Sequence, residues 1–137
     1  MTANEVRMPI ESAADIVTAR QKGRSLALDL GFNGAEVTLI AAAISEVSRN
    51  IVEYARQGRI ILQPTNHGVR KGLCVVADDK GPGIADVAQA MQYGYSSRRG
   101  LGVGLPGAKL LMDEFEIVSK VGVGTTITMK KWVQNAK

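Results

Sequence analysis

Leu73-Cys74-Val75-Val76-Ala77-Asp78-Asp79-Lys80-Gly81-Pro82-Gly83 passes directly from five apolar residues to two acids and then to a Gly-Pro-Gly turn. The first five residues have the composition of a well-buried strand. The last five must be a loop, because glycine and proline break a ladder and favour turns. An acid at the end of a buried strand, followed by backbone that carries no Cβ, suits close approach to a ligand. Strand alternation points Asp78 and Asp79 to opposite faces, and the spacing to Gly81 favours Asp79 as the acid facing a pocket.

Working toward the N-terminus, Arg59 to Gln63 reads as a strand, and Thr65-Asn66-His67-Gly68 as the turn between it and 73–77. Ala35 to Gln57 is expected to be one long helix ended by Gly58. Its residues Ile40, Ile44, Val47, Ile51 and Tyr54 form a continuous apolar stripe. Before it, Ser12 reads as an N-cap with Asp15 at N3, opening a helix that stops at Gly31, its middle weakened slightly by Gly23. Val6, Met8 and Ile10 alternate as a short first strand.

Toward the C-terminus, a short helix is expected around Asp86 to Met91, then an aperiodic loop from Tyr93 to Gly102. A helix follows over Leu105 to Met112, with Pro106 tolerated in its first turn. A final hairpin pairs 116–119 with 126–129 around Val121-Gly122-Val123-Gly124. The order β-α-α-β-β-(α)-loop-α-β-β predicts a two-layer α/β sandwich: a mixed, mostly antiparallel sheet with helices on one face.

Composition narrows the function. At 137 residues the chain suits one compact domain, 1–137. Aromatics make up only 4%, so the core must be aliphatic. One cysteine and one histidine exclude an internal disulfide and a closed zinc site. No apolar run is long enough to span a membrane, and the polar start is not a secretory signal, so a cytoplasmic protein is expected. A net charge of +4, with scattered basic residues, does not suggest a nucleic-acid binder. Glycine is the anomaly: nine of the 15 lie between Gly81 and Gly124, which places the chemistry in the second half.

Standard nucleotide signatures fail. There is no Gly-Lys pair for a P-loop, and the motifs of eukaryotic-type protein kinases are missing. Gly102-Val103-Gly104-Leu105-Pro106-Gly107 matches G-x-G-x-x-G, but it follows Ser96-Ser97-Arg98-Arg99 and not an apolar strand. Four pieces in order do fit together: Glu46-Val47-Ser48-Arg49-Asn50, Asp79-x-Gly81-x-Gly83, Gly100-x-Gly102-x-Gly104, and Gly124-Thr125-Thr126. They resemble the N, G1, G2 and G3 boxes of the GHKL superfamily, whose members share the Bergerat ATP-binding fold. The size and the exact runs resemble the small anti-sigma and switch-protein serine kinases of bacteria, the stressosome kinases in particular.

That resemblance implies ATP and Mg²⁺ as ligands. It also implies transfer of the γ-phosphate to Ser/Thr of STAS-domain scaffold or antagonist proteins, and activation of a phosphatase on release. Glu46 and Asn50, at i and i+4, share a helix face. Asn50 would give Mg²⁺ a neutral oxygen, and Glu46 would take the hydroxyl proton. Asp79 would accept from the adenine amine, where guanine presents an acceptor. Gly81 and Gly83 would let backbone approach the nucleotide, and Gly100, Gly102 and Gly104 would leave amides free for phosphate. Thr125, or its neighbour Thr126, would join Asp79 at the base. Tyr93 to Arg99 would form an ATP lid, while His67 reads as a surface turn residue and Cys74 as core. The competing reading is an anti-sigma factor or regulatory binding module that acts mainly by sequestering a partner.

Overall fold

The computed structural model describes residues 5–91 and 104–134. The expected loop 93–102, with Gly100, Gly102 and the lid residues, lies outside the described residues. The element order is β1 (Val6–Ile10), α1 (Ala13–Leu30), α2 (Gly34–Asn50), a π-helical turn (Ile51–Ala55), β2 (Gly58–His67), β3 (Arg70–Asp79), α3 (Val87–Ala90), α4 (Gly104–Leu111), β4 (Glu114–Lys120) and β5 (Gly124–Trp132). The strands form one sheet in the order β1-β2-β3-β5-β4. Every pairing is antiparallel, so the expected mixed sheet is antiparallel throughout the described residues.

Alternation along the strands makes the two layers. Ile60, Leu62, Leu73, Val75, Ile127 and Met129 are fully buried or nearly so and pack with Ile40, Ile44, Val47 and Ile51 of the long helix and its extension. Their neighbours Arg59, Ile61, Cys74, Val76, Thr126 and Thr128 stay partly or fully exposed, so the helices cover one face only. The core is aliphatic, as the scarcity of aromatics requires.

Local chemistry explains most of the element ends. Asn33 and Glu36 make a reciprocal capping box that starts α2; Asn33 Oδ1 accepts from the Glu36 N–H at 2.8 Å. At α1 the expected box is not made: Asp15 Oδ2 accepts from the N–H of Glu11, one residue before the N-cap, and the Ser12 side chain makes no cap bond. The long helix also differs from expectation. It does not run evenly to Gln57 but loosens into the π-helical turn after Asn50, and stops at Arg56 with φ 74° and ψ −36°. The apolar stripe continues through that turn, so periodicity alone could not reveal it.

A further correction concerns the β2–β3 hairpin, and another finding concerns α1. Residues 65–67 are strand, with His67 opposite Arg70, and the turn is the tight pair Gly68-Val69. Polar side chains suggested a loop there, but ladder pairing in a long hairpin prevailed. Gly23 is a close-approach site: a Cβ there would lie 2.2 Å from Ile44 Cδ1, so its place in α1 lets α1 and α2 pack.

Candidate functional site

The end of β3, the loop after it, the C-terminal half of α2 and the start of α4 converge. Asp79 is buried, and its Oδ1 accepts from the Gly81 N–H at 2.8 Å and the Thr125 N–H at 3.3 Å. These two bonds close the loop onto β5 and leave Oδ2 without a bond among the described residues. Asp78 faces the other way, held by Thr126 Oγ1 at 2.9 Å and by Arg59 at 3.2 Å. Alternation therefore separates the two acids as expected, and it places Thr125, not Thr126, on the side of Asp79.

Thr125 does not stand alone. Its Oγ1 lies 2.7 Å from Ser119 Oγ, which also accepts from the Ile84 N–H at 2.7 Å. Ser119 thus ties the loop after β3 to the β4–β5 hairpin. Sequence reasoning missed it; counting hairpin register from Gly124 would have set Ser119 opposite Thr125.

The glycines Gly81 and Gly83 were expected to make room for a nucleotide. Within the protein they also admit close neighbours. A Cβ on Gly81 would meet Ala55 Cβ at 2.5 Å, and one on Gly83, with φ 79°, would meet the Lys120 carbonyl oxygen at 2.3 Å. Gly124 is tighter still, with φ 142° and only 2.1 Å to the Asp79 carbonyl oxygen. These residues let three chain segments stack, and that stacking shapes the cleft.

A cleft of about 240 Å³ opens between α2 and this loop, lined among others by Asn50, Tyr54, Gly83, Ile84, Gln89 and Leu105. Asn50 and Gly83 share it. Asp79 borders a more open hollow with Gly58, Arg59 and Lys80. Glu46 lies one turn before Asn50, with both oxygens engaged. Oε1 accepts from the Gly104 N–H at 3.2 Å, and Oε2 lies 3.1 Å from Arg49 Nη1. At the other end of α4, Lys131 Nζ donates to the Leu111 carbonyl at 2.9 Å. A carboxylate at its start and an ammonium at its end both complement the helix dipole.

The donors fit a phosphate-borne cation better than a protein-held one. No group of three His, Cys, Asp or Glu among the described residues could hold a metal. The amide oxygen of Asn50 is a single neutral ligand, which suits Mg²⁺ arriving with phosphates and keeping waters of its own. No helix of the described residues is long and apolar enough to cross a membrane.

Comparison with known proteins agrees with this architecture. Residues 11–131 match the family model of the histidine kinase-like ATPase domain. The chain is 48% identical over 120 residues to the serine/threonine-protein kinase RsbT of Bacillus subtilis, covering 88% of this chain and 90% of that one. It is 34% identical over 101 residues to an anti-sigma F factor of Clostridium novyi, covering 70% and 71% of the two chains. Among solved structures, the RsbU and RsbW domains of a Mycobacterium tuberculosis protein give a TM-score of 0.64 at 20% identity, over 98% of this chain and 34% of that one. The SiaB–SiaC complex of Pseudomonas aeruginosa gives 0.56 at 13% identity, over 96% and 90%. At such identities the two structures speak to the fold alone, which is the two-layer α/β sandwich described above. The chain belongs to the histidine kinase-like ATPase family, and over most of its length it is closely similar to a protein serine/threonine kinase within it.

Proposed function

We propose that this single domain is an ATP-dependent protein serine/threonine kinase of a bacterial partner-switching module, acting in the cytoplasm on STAS-domain partners. The observation that carries the reading is the placement of Glu46. It sits one helical turn before Asn50 and is hydrogen-bonded to Gly104, the last glycine of the G2-like run. The acid, the amide and the start of α4 therefore stand side by side. Identity of 48% to a protein serine/threonine kinase supports the same reading.

In this scheme Asp79 Oδ2 accepts from the adenine amine beside Thr125, and Gly81 and Gly83 let loop backbone approach the nucleotide while packing on Ala55 of the π-helical turn and on Lys120 of β4. Gly100 and Gly102 offer backbone amides to phosphate oxygens, while the Gly104 amide stays on Glu46 at the start of α4. Asn50 would hold Mg²⁺, which on the phosphates supplies charge neutralisation. Glu46 takes the proton from the partner's hydroxyl as its oxygen bonds to the γ-phosphorus, and the bond from that phosphorus to the β,γ-bridging oxygen breaks to leave ADP. When released from its scaffold, the protein would engage and activate a phosphatase regulator.

A second reading rests on the 34% identity to an anti-sigma F factor: a module whose main output is capture of a partner. One experiment separates the two. The wild type and Glu46→Ala are incubated with γ-labelled ATP, magnesium and STAS-domain proteins from the same genome, and partner retention is measured in parallel. The kinase reading expects label on a Ser or Thr with wild type only. Equal labelling by Glu46→Ala would remove Glu46 as base, and tight partner binding with no transfer by the wild type would favour sequestration.

A further inference from the structure

We infer that Arg49 is a positioning residue for Glu46, holding its carboxylate toward the start of α4. The inference rests on the kinase reading above and adds a residue to it. Arg49 and Glu46 are i+3 and i on α2, with Nη1 and Oε2 3.1 Å apart and side chains 30% and 13% exposed. Nη1 itself is withdrawn from solvent and makes no aligned hydrogen bond among the described residues. Its contact with Glu46 is therefore an ion pair by proximity and not a directed bond. A buried guanidinium nitrogen in that state needs a reason, since desolvating a charge costs free energy that a loose pair does not fully return.

The reason lies in what the carboxylate does with its other oxygen. A glutamate has three side-chain torsions, and a partly exposed one samples several rotamers. Here Oε1 accepts from the Gly104 N–H, 58 residues away, while Arg49 attracts Oε2 from the same helix. The Gly104 bond and the Arg49 charge together narrow the carboxylate to orientations facing the start of α4. Without Arg49, only a single 3.2 Å bond restrains it. A misplacement of about 1 Å at a reacting group can lower turnover on the order of 100-fold. Arg49 also closes the last turn of α2, where a cation favours the dipole, so a purely stabilising role is the alternative.

Arg49→Gln, Arg49→Lys, Glu46→Gln and the double variant Glu46→Gln/Arg49→Gln distinguish the two. The readouts are kcat for phosphate transfer to the STAS-domain acceptor, the Kd for ATP with magnesium, and the ¹⁵N–¹H resonance of Gly104. The inference expects Arg49→Gln to lower kcat roughly 10- to 100-fold, with Kd changed less than about threefold. Arg49→Lys restores most of the loss, and the double variant is no slower than Glu46→Gln alone. The Gly104 amide, which needs no enzymatic turnover, moves in Arg49→Gln in the same direction as in Glu46→Gln. A Gly104 resonance untouched by Arg49→Gln overturns the inference even if the wild type transfers no phosphate. So does a further loss on top of Glu46→Gln, or a Kd for ATP that weakens as much as kcat falls, which would put Arg49 on the nucleotide itself. Absence of transfer by the wild type together with a shifted Gly104 amide would instead sink the kinase reading and leave the anchoring intact.

Discussion

Replacing Asp79 by asparagine and by alanine separates the two things this carboxylate does. Its Oδ1 receives the amides of Gly81 and Thr125, and its Oδ2 is the atom proposed to receive the adenine amine. Asparagine keeps an oxygen for the two amides and turns the other position from acceptor to donor. It should fold nearly normally, losing about 1 kcal/mol as charge-assisted bonds become neutral ones. Facing the adenine amine, however, donor meets donor, a mismatch of about 1–3 kcal/mol, which is roughly a 5- to 150-fold weaker Kd. Alanine leaves the two amides without their acceptor, so it should cost a further 2–4 kcal/mol in stability, or a fall in Tm of roughly 6–15 °C at this size. Calorimetric titration with ATP and magnesium, beside thermal denaturation without nucleotide, reads both effects. The reasoning is refuted if Asp79→Asn binds ATP as the wild type does, or if it loses as much stability as Asp79→Ala.

Three further outcomes are expected. Gly124→Ala forces a side chain onto backbone at φ 142°, with its Cβ 2.1 Å from the Asp79 carbonyl oxygen, so it should lose at least about 3 kcal/mol in urea denaturation. Lys131→Met removes the ammonium from the C-terminal end of α4 and should lower stability by about 1–2 kcal/mol; an unchanged melting temperature would deny that the contact matters. Burial lifts the Cys74 thiol above the ordinary 9.0, an effect that Lys130 partly offsets and Glu114 adds to. The unfolded chain therefore ionises first: this contribution is intact below about pH 9 and is lost as pH rises toward the folded value. Thiol-reagent labelling at pH 8 should be slower in the folded protein than in urea.

The long helix and the acid-glycine loop were legible because their signals are local. The apolar stripe from Ile40 to Ile51 needs only helical periodicity, and the opposite facing of Asp78 and Asp79 needs only strand alternation. The capping box of Asn33 and Glu36 was also written locally and would have marked the start of α2 to within a residue. What stayed hidden depends on contacts between distant segments. Ser119 meets Thr125 only through hairpin register, Glu46 meets Gly104 only once α4 docks on α2, and Lys131 finds Leu111 across 20 residues. Residues 65–67 looked like a loop because their side chains are polar, yet partners along β3 made them strand. The glycines of the loop were legible for their missing Cβ atoms, but their neighbours within the protein were not. The missing Cβ atoms of Gly81 and Gly83 admit Ala55 and Lys120, and that of Gly124 in β5 admits the Asp79 backbone.

The most direct test of where the nucleotide sits is a ¹⁵N–¹H titration of the whole chain with ATP and magnesium. Saturable shifts gathered at Asn50, Tyr54, residues 79–85, Gln89, Gly104 and Thr125 are the expected result. Shifts gathered on the open sheet face around Ile61, Val76 and Thr128, or no shifts at millimolar nucleotide, would contradict the account.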